Sequence, residues 1–213
     1  MEHIAIFGGT FDPIHNGHLQ TSLSIQSSFK FDSYFFLPCK VPTIKPAASA
    51  TNKQRIKMIE LALKAYPQFK LDLREIERGS PSYMVETLQS FRKEYSNASI
   101  TLIIGYDAFI SLPRWHQWEK LITLAHIMVI NRNEFLQHQT SELMQQFTSD
   151  YQCKDKTVLL NSTAGAIFMF DAGHYEISST KIREEIKDDV NVGLQLPQEV
   201  YQYIKNEGLY QAS

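Results

Sequence analysis

Ile4-Ala5-Ile6-Phe7-Gly8-Gly9-Thr10-Phe11-Asp12-Pro13-Ile14-His15-Asn16-Gly17-His18 carries more information than any other stretch of this chain. The unbroken apolar run Ile4 to Phe7 reads as a strand buried on both faces. Helical spacing of apolar residues follows in Leu19-Gln20-Thr21-Ser22-Leu23-Ser24-Ile25. Two glycines at a strand end let backbone approach a ligand closely. His15 and His18, three apart, stand where a helix opens and unpaired N–H groups favour anions. That arrangement suits a nucleoside triphosphate. It is not a P-loop, because no Gly-Lys-Ser/Thr follows, and no third glycine is spaced for the dinucleotide fingerprint.

At 213 residues and 24.6 kDa the chain has room for one full α/β domain or two small ones. Its 43% hydrophobic and 21% charged content is that of an ordinary soluble protein. A net charge of -2 and a pI near 6.4 provide no general attraction to nucleic acid or anionic membrane, so phosphate binding must be local. Cys39 and Cys153 are far apart and in no metal-ligand pattern, which reads as a reduced, cytosolic protein with two incidental thiols. No signal peptide is expected, since Glu2 and His3 lead straight into a strand. No apolar run approaches the roughly 20 residues of a membrane span.

Strand and helix patterns alternate along the chain. Tyr34 to Pro38 is a short aromatic strand, and Lys40 to Ala50, rich in Pro, Ala and Lys, is a loop. Asn52 is placed to cap a helix with Ile56, Ile59 and Leu63 on one face. Phe69 to Leu73 alternates like a strand, and Tyr83 to Tyr95 reads as a helix opened by Pro81-Ser82. Ser99 to Gly105 is a β-branched buried strand, Trp115 to Leu124 a helix, and His126 to Ile130 a further strand. The polar, Gln-rich region from Glu134 to Lys156 reads as a surface helix and loop, with Gln137 to Gln146 exposed. Ile167 to Phe170 is the last strand, followed by helices near Thr180 to Lys187 and Pro197 to Asn206. Phe29, Phe31, Tyr34, Phe35 and Phe36 are expected in the core. Arg74-Glu75-Ile76-Glu77-Arg78 reads as a solvated mixed-charge edge. Alternation without repeats or linkers predicts one doubly wound parallel sheet, with ligands at the carboxyl ends of its strands.

Two further segments suit the same ligand. In Ile177-Ser178-Ser179-Thr180-Lys181-Ile182-Arg183, Ser178 or Ser179 is a natural N-cap, and Ser179, Thr180 and Arg183 share a helix face. Hydroxyls, free N–H groups and an arginine make a phosphate cradle, although the segment alone also reads as a capped surface helix. In Ile103-Ile104-Gly105-Tyr106-Asp107, an aspartate after a strand-ending glycine either binds ribose hydroxyls or caps the next helix. Trp115 offers a flat face for stacking an aromatic ring, or a core side chain. No Cys or His cluster completes a metal site around His15 and His18.

Together these segments resemble the nucleotidylyltransferase superfamily, whose signatures are a glycine-rich strand end with His-x-Gly-His and a distal Ile-Ser-Ser-Thr-x-x-Arg. The full form of the first motif, with Pro81-Ser82-Tyr83, Ile103-Ile104-Gly105-Tyr106-Asp107 and the ending Leu196-Pro197 through Tyr210, resembles bacterial nicotinate-nucleotide adenylyltransferases. The resemblance covers nearly the whole chain. It implies a Rossmann-like sheet with helices on both faces, and residues 1–213 forming a single nucleotidylyltransferase domain. It also implies transfer of AMP from ATP to nicotinate mononucleotide, giving deamido-NAD and pyrophosphate, with Mg²⁺ carried mainly by the triphosphate and water. His18, His15 and Arg183 would be catalytic. Gly8, Gly9, Thr10, Phe11, Gly105, Asp107, Ile177, Ser179 and Thr180 would join them around ATP.

Lys40, Lys45, Tyr83, Met84, Trp115, His116 and Arg132 would face the acceptor. Two departures from the family pattern stand out. The loop that usually reads Val-Pro-Pro-His-Lys or Arg is here Val41-Pro42-Thr43-Ile44-Lys45, so the histidine's phosphate contact does not carry over to Ile44. Lys45 and Lys40 remain as flexible point charges. Met84 stands where relatives have Thr, and His116 where they have Tyr. The alternatives are the same chemistry on nicotinamide mononucleotide, phosphopantetheine or a flavin, and a nucleotide-binding regulator without catalysis. The expected partners are ATP and nicotinate mononucleotide, with neither nucleic acid nor membrane. A homo-oligomer is compatible with the sequence.

Overall fold

In the computed structural model, which describes residues 1–41, 47–79, 81–130, 140–173 and 175–212, the apolar run near the N-terminus becomes the central strand of a sheet. This strand, β1 (His3–Gly9), pairs with β2 (Ser33–Pro38) on one side and β4 (Ser99–Gly105) on the other. β3 (Phe69–Leu71), β5 (His126–Ile130), β6 (Gln152–Cys153) and β7 (Ile167–Phe170) complete the order β3-β2-β1-β4-β5-β7-β6, with every described pairing parallel. The chain builds outward from β1 to β3, then returns to place β4 against the other edge of β1. That reversal is the topological switch point, and sheets of this kind take their ligands beyond the carboxyl ends of the strands flanking it, here β1 and β4.

Parallel sheets need cover on both faces, and the strands show it by alternation. Ala5, Phe7, Tyr34, Phe36, Ile103 and Met128 belong to one core; Ile4, Ile6, Phe35, Leu37, Leu102 and Ile127 belong to the other. The first face is covered by α1 (Asn16–Phe29), α2 (Asn52–Leu63), α9 (Ser179–Lys187) and α10 (Gln198–Asn206). The second lies under α4 (Met84–Glu94), α5 (Tyr106–Ile110), α6 (Leu121–Leu124) and α7 (Glu142–Tyr151). Two short helices, α3 (Arg74–Glu77) and α8 (Val158–Asn161), fill connections. Among the described residues no helix is long and apolar enough to cross a membrane. Both cysteines are free thiols.

Several expectations shift. Thr51, not Asn52, caps α2, through a reciprocal box with Gln54. The buried face of that helix is Arg55, Met58, Ile59, Ala62 and Leu63, and Ile56 lies half-exposed. The strand expected to reach Leu73 stops at Leu71, because Leu73 starts α3. Trp115 to Leu124 is not one helix: Trp115 is extended, Gln117 has φ 52°, and a 3₁₀ turn at Trp118–Lys120 precedes α6. The Gln-rich helix α7 begins at Glu142 and buries Met144 and Phe147; residues 131–139 lie outside the described residues.

Candidate active site

The turn after β1 is shaped by its aromatic residue. Phe11 has φ 50°, a backbone conformation that costs a non-glycine residue stability and needs surroundings that enforce it. Its buried ring packs edge-on to Phe7 and His18 and against Phe36, with centroids 5.1–5.8 Å apart. A Cβ on Gly9 would fall 2.9 Å from that ring, so the strand end must be glycine. Gly8 lies against the Met84 methyl at the start of α4.

His15 and His18 form a capping box of an unusual kind. The His15 N–H donates to His18 Nδ1 at 3.2 Å, and the His18 N–H donates to His15 Nδ1 at 3.4 Å. The rings stack with centroids 3.7 Å apart and 27° between planes. Because both Nδ1 atoms accept, each neutral ring carries its proton on Nε2, which leaves Nε2–H as the donor for a ligand. Gly17 makes the stack possible, since a Cβ there would lie 3.0 Å from His15 Nδ1. Burial lowers the His15 pKa from its usual 6.5 to about 3. His18 is held well below its usual value by burial and then by His15. At neutral pH both imidazoles are therefore uncharged.

The distal motif docks onto the same turn. Ser178 is the N-cap of α9, accepting from Lys181 N, which frees Ser179 to donate to the Pro13 carbonyl at 2.9 Å. Arg183 donates through Nη1 to the Asp12 carbonyl at 2.6 Å and through Nη2 to Thr180 Oγ1 at 3.3 Å. A guanidinium has five N–H groups, so Arg183 retains donors beyond these two bonds. Ile177 touches the Gly17 position. The N-termini of α1 and α9 thus meet at Asp12-Pro13, and the first N–H groups of each helix lack intrahelical acceptors.

Of the residues expected on the acceptor side, Tyr83 and His116 come together, with ring centroids 4.4 Å apart and 36° between planes. Trp115 is half-buried against the second core. Gly105, not Asp107, is the N-cap of α5; Asp107 sits in its first turn, with Oδ1 2.7 Å from where a Gly105 Cβ would be. Lys40 does not reach freely toward a phosphate: its Nζ donates to the Arg78 carbonyl at 2.7 Å and its N–H to Ser82 Oγ at 2.8 Å. Lys45, Arg132 and Ile44 lie outside the described residues. Cavities of about 340 and 450 Å³ are lined elsewhere, one by Tyr106, Phe109 and Met169, the other by Ile186, Tyr201 and Leu209.

Sequence reading missed the supports. The Asp12 carboxylate accepts from Ser49 N, Ala50 N and the Tyr210 hydroxyl at 2.7–3.1 Å, clamping the C-terminal segment onto the turn. The expected solvated edge at Arg74 to Arg78 is instead a network around Glu75, which is 2% exposed. Its carboxylate accepts from Thr87 at 2.7 Å and from Ser82, with Arg78 3.9 Å away, and burial raises its pKa. Arg74 lies over the Phe91 ring and pairs with Asp72 and Glu94. Arg55, buried on α2, donates to the Thr10 and Cys39 carbonyls and was missed as well; its charge in phase with the apolar stripe of the helix was the available signal.

A parallel sheet with a switch point between β1 and β4, and two helix N-termini converging on one turn, define a nucleotide-binding α/β protein. A family model described as cytidylyltransferase-like matches residues 6–185. A relative from Legionella pneumophila (strain Corby), named "Probable nicotinate-nucleotide adenylyltransferase", is 58% identical over 99% of this chain and 100% of its own. One of the same name from Methylococcus capsulatus is 39% identical over 97% and 99%. The chain belongs to the cytidylyltransferase-like nucleotidyltransferases and, within them, to the nicotinate-nucleotide adenylyltransferase family. The fold is shared with a Plasmodium falciparum nicotinic acid mononucleotide adenylyltransferase complexed with NaAD. That structure has a TM-score of 0.73 at 18% identity, over 99% of this chain and 98% of that one. The same protein complexed with APC has a TM-score of 0.71 at 17% identity and the same coverage.

Proposed function

We propose that residues 1–213 act as one nucleotidylyltransferase domain that joins nicotinate mononucleotide to the adenylyl group of ATP, forming nicotinate adenine dinucleotide and pyrophosphate in NAD biosynthesis. One observation carries the reading: the stacked His15–His18 pair and the Ser179–Arg183 helix meet on the single turn Asp12-Pro13. The acceptor phosphate attacks the α-phosphorus, a P–O bond forms, and the bond to the β-phosphate oxygen breaks as pyrophosphate leaves. The nucleophile is already an anion, so no base is required. The protein's task is positioning and stabilising charge on the transferring oxygens.

In this reading His18 and His15 offer Nε2–H, Arg183 offers its remaining guanidinium donors, and Ser179 and Thr180 offer N–H groups to the phosphates. Gly8, Gly9, Thr10 and Phe11 let the triphosphate lie against the backbone. Gly105 and Asp107 face the ribose. Tyr83, Met84, Trp115 and His116 border the pyridine ring. Mg²⁺, when bound, neutralises phosphate charge. The described residues fit an ion carried on the triphosphate, because the Asp12 carboxylate is already occupied by Ser49, Ala50 and Tyr210. In this reading the protein works in the cytoplasm on these two small-molecule partners.

The test is incubation with ATP, Mg²⁺ and nicotinate mononucleotide, reading pyrophosphate release, with nicotinamide mononucleotide in parallel. Release with the acid and a lower kcat/KM with the amide is expected. No release with either sinks the proposal, and equal values refute the acid preference.

A further inference from the structure

Arg55 is 0% exposed, a charged side chain among core residues. Its guanidinium is held by neutral oxygens. Nη1 donates to the Thr10 carbonyl at 2.6 Å; Nη2 donates to the Cys39 carbonyl and Asn52 Oδ1, each at 2.6 Å, and reaches the Lys40 carbonyl at 3.4 Å. Nε has no partner. Thr10 belongs to the phosphate turn after β1. Cys39 and Lys40 follow β2, the neighbouring strand, and Cys39 N donates to the Gly9 carbonyl at 3.0 Å. From Lys40 the bonds continue: its N–H goes to Ser82, whose hydroxyl reaches the buried Glu75 carboxylate, and Ser82 precedes Tyr83 of the Tyr83–His116 pair. One planar fork thus joins the backbone that faces ATP to the backbone that leads to the aromatic side of the crevice.

A buried cation is costly, and a core helix position would be cheaper with an apolar residue, as Met58 and Ile59 one turn later show. Stability alone does not explain an arginine there. Its geometry does: only a rigid fork of donors spans at once the carbonyls that follow two neighbouring strands, which a lysine ammonium cannot do.

We infer that Arg55 is a positioning residue for the two-substrate reaction, setting the separation of the phosphate turn and the β2-end loop and so the alignment of acceptor phosphate with the α-phosphorus. This inference rests on the adenylyl-transfer reading above. Misplacement by about 1 Å at a reacting centre costs on the order of a hundredfold in rate. Arg55→Met in the full-length protein should therefore lower kcat by roughly 30- to 100-fold, with KM for ATP and for nicotinate mononucleotide each within about threefold of the unaltered chain. Arg55→Lys should recover only part of that loss, because charge returns without the fork. Asn52→Ala, which removes one acceptor and keeps the arginine, should lower kcat by about three- to tenfold.

Turnover by the unaltered chain is measured first; its absence would count against the reaction itself, not against Arg55. With turnover established, a folded Arg55→Met with kcat within about twofold of the unaltered chain overturns the inference. So does full restoration by Arg55→Lys, or an activity loss matching the fraction unfolded at the assay temperature. If Arg55→Met does not fold, Asn52→Ala decides, and an unchanged kcat there overturns it.

Discussion

Replacing His15 by Gln should flatten the pH dependence of folding stability. His15 is 5% exposed and its pKa falls from 6.5 to about 3 on burial. The unfolded chain therefore binds a proton near pH 6.5 that the folded chain refuses until near pH 3. The stability that neutral His15 contributes is complete above its unfolded pKa and drains away as pH falls from 6.5 toward 3, by about 1.4 kcal/mol per pH unit. Between pH 7.5 and pH 5.5 the integrated loss is about 1.4 kcal/mol, which for a chain of about 200 residues corresponds to roughly 3–5 °C in Tm. His18 and His126 are lowered by burial too, so the unaltered chain has a steeper slope than His15 alone predicts. The difference between the two proteins isolates His15. Thermal unfolding at several pH values, without nucleotide, gives both curves. His15→Gln loses a cap contact and starts from a lower Tm, but its fall between the two pH values should be smaller by about 3–5 °C. Parallel curves would refute the account of a neutral, stacked imidazole.

His18→Ala removes an Nε2–H donor and should lower kcat by roughly 10²- to 10³-fold while KM for ATP changes far less, read by steady-state pyrophosphate release; unchanged turnover would refute the role given to His18. Gly17→Ala places a methyl 3.0 Å from His15 Nδ1 and should lower kcat by roughly tenfold or more while circular dichroism stays unchanged; full activity would mean the stack is not needed. Tyr210→Phe removes a bond to the Asp12 carboxylate, and should destabilise by about 1.5–3 kcal/mol in denaturant unfolding. Glu75→Gln sets an amide where Thr87 and Ser82 donate, and should raise KM for the mononucleotide several-fold with KM for ATP unchanged; the opposite pattern would assign that wall to ATP.

What local sequence determines here is considerable. The Ile4 to Phe7 run, the Ser99 to Gly105 strand and the alternation around them specify a parallel sheet, because a strand covered on both faces has little choice but to be apolar throughout. Both phosphate motifs are legible for a similar reason: capping, strand-end glycines and helix N-termini are made within a few residues of one another. The errors are also local. Thr51 outcompetes Asn52 as cap because its box with Gln54 satisfies two backbone groups. The chain from Trp115 to Trp118 leaves the helical region at Gln117.

Only the tertiary structure decides what the charged residues do. Arg55 meets Thr10 across 45 positions, Tyr210 meets Asp12 across 198, and Lys40 turns away to the Arg78 carbonyl. A residue's periodicity says which face it occupies, not which distant carbonyl waits there. A buried arginine and a buried glutamate look like solvated charges until the desolvation that burial imposes is matched to the partners that relieve it. Those partners come from strands and turns that are neighbours only once the sheet has formed.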